Sequence, residues 1–116
     1  MTHKIFDMPV AEVWPHYLAK VERKGQDVAL VETVTCWLTS YSPAELADHL
    51  EGRTSFRDFF AAAQLNPAAS LITGSICGYK VQDIEDPLMQ QIRYLDKLVD
   101  EIAKGRPLEK ILRTLP

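Results

Sequence analysis

The chain has 116 residues, 47% of them apolar and 25% charged. That length suits one domain with a core of its own, needing neither disulfides nor metal. A formal net charge of −3 speaks against a dedicated nucleic-acid binder, no apolar run reaches the ~18 residues of a transmembrane helix, and two cysteines make no disulfide framework.

The opening MTHKIFDMPVAEV has an early acid and no apolar h-region, so it does not read as a signal peptide. The expectation is one cytoplasmic domain over 1–116, with Cys36 and Cys77 reduced. Val10, Val13, Trp14, Tyr17, Leu18 and Val21 then recur at helical spacing. Pro15 removes a backbone donor there, so the helix kinks at that point or begins nearby. Gly25 can end it in the left-handed conformation, and Asp27 can cap its successor. The next stripe is Leu30, Val31, Val34, Trp37, Leu38 and Tyr41. So short a connection predicts an antiparallel αα-hairpin.

Ser42-Pro43-Ala44-Glu45-Leu46 is the clearest local signal. Ser42 is an N-cap, Pro43 sits at the first helical position, and Glu45 completes a capping box. Tyr41 and Leu46 are placed as a hydrophobic staple. A helix to about Leu50 should follow, then another from Ser55 with Phe56, Phe59, Phe60 and Ala63 inward. Asn66-Pro67 repeats the cap-plus-proline signal.

Residues 67–79 admit two readings. Leu71, Ile72, Ser75, Ile76 and Tyr79 form one helical face, with Ser70, Gly74 and Gly78 forming a second face of small residues suited to close packing. Against a helix, two glycines each cost about 1 kcal/mol in its interior. The alternative is a strand around 79–81, within a short irregular or extended segment near 78–84.

Asp86-Pro87 starts the last long helix, with Leu88, Ile92, Leu95, Val99 and Ile102 as its stripe. Lys97–Glu101 and Asp100–Lys104 are expected as i, i+4 ion pairs on its outside. Gly105 ends it, and Pro107 opens a short helix with Leu108, Ile111, Leu112 and Leu115 inward. The fold class is therefore mainly α, a compact single-domain bundle of about six helices joined as αα-hairpins. A faint echo relates Tyr41 to Tyr79 and Lys24-Gly25 to Lys104-Gly105, as a duplicated helix pair or chance similarity would.

Several blocks carry a family resemblance: Trp14-Pro15-His16-Tyr17, Trp37-Leu38-Thr39 with Tyr41, Phe59-Phe60, Ser70-Leu71-Ile72-Thr73-Gly74, Cys77-Gly78, Glu85-Asp86-Pro87-Leu88-Met89 and Ile92–Glu101. In order and separation they resemble the small bacterial proteins grouped as domain of unknown function 2200. The resemblance covers nearly the whole chain. One departure is Ser40, where the family's LTGY turn has Gly. The resemblance implies a compact, mostly helical fold and brings no catalytic residues.

No constellation of residues stands out as chemistry. His3, His16 and His49 lack a second ligand at metal-binding spacing, and Glu12–His16 reads as an ordinary i, i+4 surface pair. Gly74-Ser75-Ile76-Cys77-Gly78 fails the nucleophile-elbow pattern. Cys77 could be a nucleophile if a neighbour activated it, against the simpler reading of an inert buried thiol. Asp83, Glu85 and Asp86 lack the Gly and distal Glu of a calcium loop. Trp14, Trp37, Tyr41 and Tyr79 lie on predicted inward stripes; the simpler reading is core, the sharper one a pocket with His16 or Cys77 as its polar group.

The expectation is thus a protein without cofactor or metal, leaning away from enzymes. It should act through a homo-oligomer or an unidentified protein partner, away from membranes. A ligand pocket at Trp14, His16, Trp37, Tyr41, Cys77 and Tyr79 is the alternative. Nucleic-acid binding ranks last, because the Ser42-capped helix carries Glu45, Asp48 and Glu51.

Overall fold

The computed structural model describes residues 3–116, so Met1 and Thr2 of the expected 1–116 domain lie outside the described residues. In chain order the helices are α1 (Lys4–Asp7), α2 (Val10–Arg23), α3 (Ala29–Thr39), α4 (Pro43–Glu51), α5 (Phe56–Ala61), α6 (Pro87–Ala103) and α7 (Leu108–Ile111). Between α5 and α6 lie a 3₁₀ turn at Pro67–Leu71, strands β1 (Ser75–Ile76) and β2 (Tyr79–Lys80), and a second 3₁₀ turn at Val81–Asp83. The mainly α, single-domain reading holds.

Helix α6 is the axis of the packing. It touches α2, α3, α5, α7 and β1, because its apolar stripe is wide. Ile92, Leu95, Leu98, Val99 and Ile102 are all essentially inaccessible. Each such side chain contributes roughly 1.5–3 kcal/mol through burial. Asp86 starts the helix as expected, its carboxylate accepting from Leu88 N and Met89 N at 2.9 and 3.0 Å.

The turns read from the sequence form for the reasons given. The α2–α3 connection closes with Gly25 N donating to Glu22 O and Gln26 N to Val21 O. The end of α6 repeats that pattern, with Gly105 N to Ile102 O and Arg106 N to Glu101 O. Both glycines have positive φ, +73° and +80°, as this helix ending requires. Pro15 sits inside α2, which runs on through it. The capping box at Ser42 is complete: Glu45 N donates to Ser42 Oγ, and Ser42 N to Glu45 Oε1. Ser40 adopts the left-handed φ of +64°. Its hydroxyl donates to Gln64 O at 2.7 Å, which helps offset the strain of a non-glycine residue there.

Leu115, expected inward beyond the last short helix, is 49% exposed, and three further expectations need correction. Of the two readings of 67–79, the helix does not form. The alternative, an extended stretch, is the observed one, at 75–80 and so slightly earlier than expected. Ser75 pairs with Lys80 and Ile76 with Tyr79 across a two-residue turn. Cys77 and Gly78 both have positive φ, +52° and +83°, the signature of a type I′ hairpin turn. Gly74 and Gly78 therefore serve backbone conformation rather than close helix packing. Second, Tyr79 does not face inward but is 63% exposed, whereas Tyr94 is buried.

The third correction concerns Glu101, which is not on an outer face paired with Lys97. It is 5% exposed and bound by two arginines. Arg106 Nη1 reaches its Oε2 at 2.8 Å, and Arg113 grips both oxygens, with Nη2–Oε2 at 2.8 Å. Lys97 instead donates to the carbonyl of Ser75 at 3.3 Å. The Asp100–Lys104 pair does form, at 2.9 Å, and Lys20 joins it from α2 at 3.1 Å. Burial raises the Asp100 carboxyl pKa, but hydrogen bonds from Lys104 and Lys20 outweigh it and hold it below the ordinary value.

Candidate functional site

The β1–β2 hairpin is tied down on three sides. Val81 N donates to Gly74 O at 3.0 Å, and Gly74 N to Gln82 Oε1 at 3.1 Å. Gln90 Nε2 reaches from α6 to Val81 O at 3.1 Å, beside the Lys97 contact to Ser75. So fixed, the hairpin and the start of α6 enclose an open groove of about 440 Å³. Tyr79, Ile84 and Met89 give it apolar surface, and Lys80, Asp83 and Arg93 give it charge, with His3 at the same groove.

Arg93 links this groove to the core. Its Nη1 donates to Asp96 Oδ2 at 2.7 Å and lies 3.8 Å from Cys77 Sγ. Partial burial works against the charged guanidinium, but Asp96 more than offsets it, holding the Arg93 pKa above its ordinary value. Nε and Nη2 have no partner among the described residues. Behind the pair stands Tyr17, 6% exposed, whose buried hydroxyl lies near Asp96 but makes no hydrogen bond of good geometry among the described residues. Burial pushes its pKa well above the usual phenol value; the Asp96 carboxylate adds to the rise and Arg93 opposes it.

The structure does not gather the six sequence-derived candidates into one site. Tyr79 lines the groove, and Cys77 sits exposed in the turn beside it, touching Arg93. Tyr41 lies elsewhere. Its hydroxyl donates to Phe59 O at 2.6 Å, and it borders a smaller polar groove of about 310 Å³ with Ser40, Glu45 and Gln64. Trp14 stands edge-on to Tyr17 on α2 and is half-buried, as is Trp37 on α3, whose carbonyl accepts from Asn66. His16 is exposed on α2. These three line neither groove.

Sequence reasoning missed Arg93, Lys80, Ile84 and Met89 as a group. The signal was present in the Cys77-Gly78 pair, since a two-residue turn would have set Tyr79 and Lys80 on a strand beside α6.

Cys77 has no histidine or carboxylate hydrogen-bonded to it among the described residues, so no nucleophile–base pair is assembled around it. No cluster of three or more His, Cys, Asp or Glu side chains suited to a metal ion occurs among the described residues. None of the described helices is long and apolar enough to cross a membrane.

A family model described as "Uncharacterized protein conserved in bacteria (DUF2200)" matches residues 4–113. The crystal structure of uncharacterized protein SP1917 is similar over 97% of this chain and 93% of that one, with a TM-score of 0.89 and 43% sequence identity. No curated protein matches the chain.

Proposed function

The chain belongs to the DUF2200 family of uncharacterised bacterial proteins, and from that premise we propose that it is a non-enzymatic cytoplasmic module acting through protein contacts. The partner is a second copy of the chain or one other protein, and the contact face is the groove beside the hairpin. The observation that carries this reading is Tyr79, 63% exposed on a well-tethered hairpin and sharing the groove with Met89 and Arg93. Tyr, Met and Arg are the residue types enriched at protein interfaces, and a rigid aromatic anchor is the usual centre of one. Glu45, Asp48 and Glu51 are all exposed on α4, which supports ranking nucleic acid last.

Light scattering combined with affinity capture on tagged protein tests the proposal. Wild-type protein should run as a dimer or retain a stoichiometric protein partner, and Tyr79→Ser should lose that association. Because Tyr79 is so exposed, the substitution should change stability by no more than about 0.5 kcal/mol. A strict monomer that retains no partner would count heavily against this function.

A further inference from the structure

The charge lining the groove is uneven. Among its lining residues Lys80 and Arg93 stand against Asp83, and Asp96, behind the lining, pairs with Arg93, which leaves Lys80 as the cation with no carboxylate bound to it among the described residues. Asp96 takes Nη1 of Arg93 and so fixes the guanidinium, while Nε and Nη2 are left without a partner among the described residues. A guanidinium presents its donors in a planar fork that fits a carboxylate. Holding one edge in place reduces the entropy lost when the other edge binds. The groove's apolar share comes from Tyr79, Ile84 and Met89. Its volume, about 440 Å³, falls in the range of pockets that enclose a ligand of a few side chains' bulk.

We infer that the groove receives an acidic peptide segment of a partner protein, seating an Asp or Glu carboxylate on Arg93 and Lys80 and a neighbouring apolar side chain against Tyr79, Ile84 and Met89. The inference rests on the contact reading above and names the chemistry of the partner. Charge complementarity selects this occupant: a basic segment would meet Lys80 and Arg93, and a wholly apolar one would leave Lys80 and the Nε/Nη2 edge of Arg93 without a partner.

The test uses isotope-labelled protein and four probes followed by NMR. Three are capped hexapeptides in which Leu alternates with Glu, Gln or Lys, and the fourth is inorganic phosphate. The Glu-Leu peptide should shift the Tyr79 and Lys80 amides and the Arg93 Nε–H resonance. Its affinity should fall at least tenfold in Lys80→Gln, which alters an exposed side chain, and should weaken as salt rises from about 50 to about 500 mM. Arg93→Gln should abolish binding, with thermal melting checking that the variant folds.

The inference is overturned if the Gln-Leu or Lys-Leu peptide binds as tightly as Glu-Leu, or if no peptide binds. Phosphate alone reproducing the full response at Tyr79 and Arg93 would overturn it too, since a free anion would then be the occupant. None of these results alters the association state of the protein, so the contact reading would stand or fall separately on light scattering.

Discussion

Glu101→Ala should lower the stability of the fold by about 3 kcal/mol, because removing one member of a buried ion pair strands the other. The two arginines it binds come from beyond α6, and the Arg113 side chain is only 11% exposed. Without the carboxylate, Arg113 must lose its partner in a desolvated position or pull the last turn of the chain into solvent. For a chain of this size the loss corresponds to a fall in melting temperature of roughly 10 °C. Arg113→Ala should cost less, about 1–2 kcal/mol, since Arg106 still neutralises Glu101. Calorimetry of both single variants and the double variant checks the ordering. If Glu101→Ala melts with the wild type, the ion-pair cluster does not hold the chain end to α6.

Phe59→Ala should be at least as damaging, at about 3–5 kcal/mol. Phe59 is fully buried and joins α5 to α4 and to the α3–α4 turn through rings. Its centroid lies 5.1 Å from Tyr41, 5.4 Å from His49 and 5.3 Å from Phe60. Removing the ring opens a cavity beneath the α3–α4 turn and takes away the surface against which Tyr41 and His49 pack. Phe59→Leu, which keeps much of the volume, should cost under about 1.5 kcal/mol. Urea unfolding of the pair reads the difference. Equal losses for Ala and Leu would mean that aromatic geometry, not volume, sets the contribution.

How far the sequence could be read depended on where the deciding contacts lie. Ser42, Glu45, Asp86 and the two helix-ending glycines act within a few residues of themselves, so local rules place them correctly. Glu101 obeyed a local rule that pointed to Lys97. What decides its partner is Arg113, twelve residues on, brought back by the turn at Gly105. Gly74 and Gly78 are ambiguous in principle, since spacing of four serves helix packing and single glycines serve positive φ equally well. Contacts from α6, through Lys97 and Gln90, accompany the second outcome. That choice also decided the site: a helical period turns Tyr79 inward, and a two-residue strand turns it out. Of the six candidates, only Cys77 and Tyr79 belong to the groove region. Trp14, Trp37 and Tyr41 fall on inward stripes, a pattern that identifies packing positions on separate segments and not a shared cavity. Arg93 carries no sign of its own, because its importance comes from sitting opposite a hairpin that only the Cys77-Gly78 turn announces.

The central claim is that the Tyr79 groove is where this protein meets another. A photo-crosslinking amino acid placed at position 79 in bacterial cells, compared with one at the exposed position Glu22, tests it most directly. The account predicts one discrete protein adduct from position 79, either twice the mass of the chain or a single larger species. That adduct should be absent from position 22 and suppressed by Lys80→Gln together with Arg93→Gln. Equal or absent adducts at the two positions, or an adduct indifferent to those two cations, would contradict it.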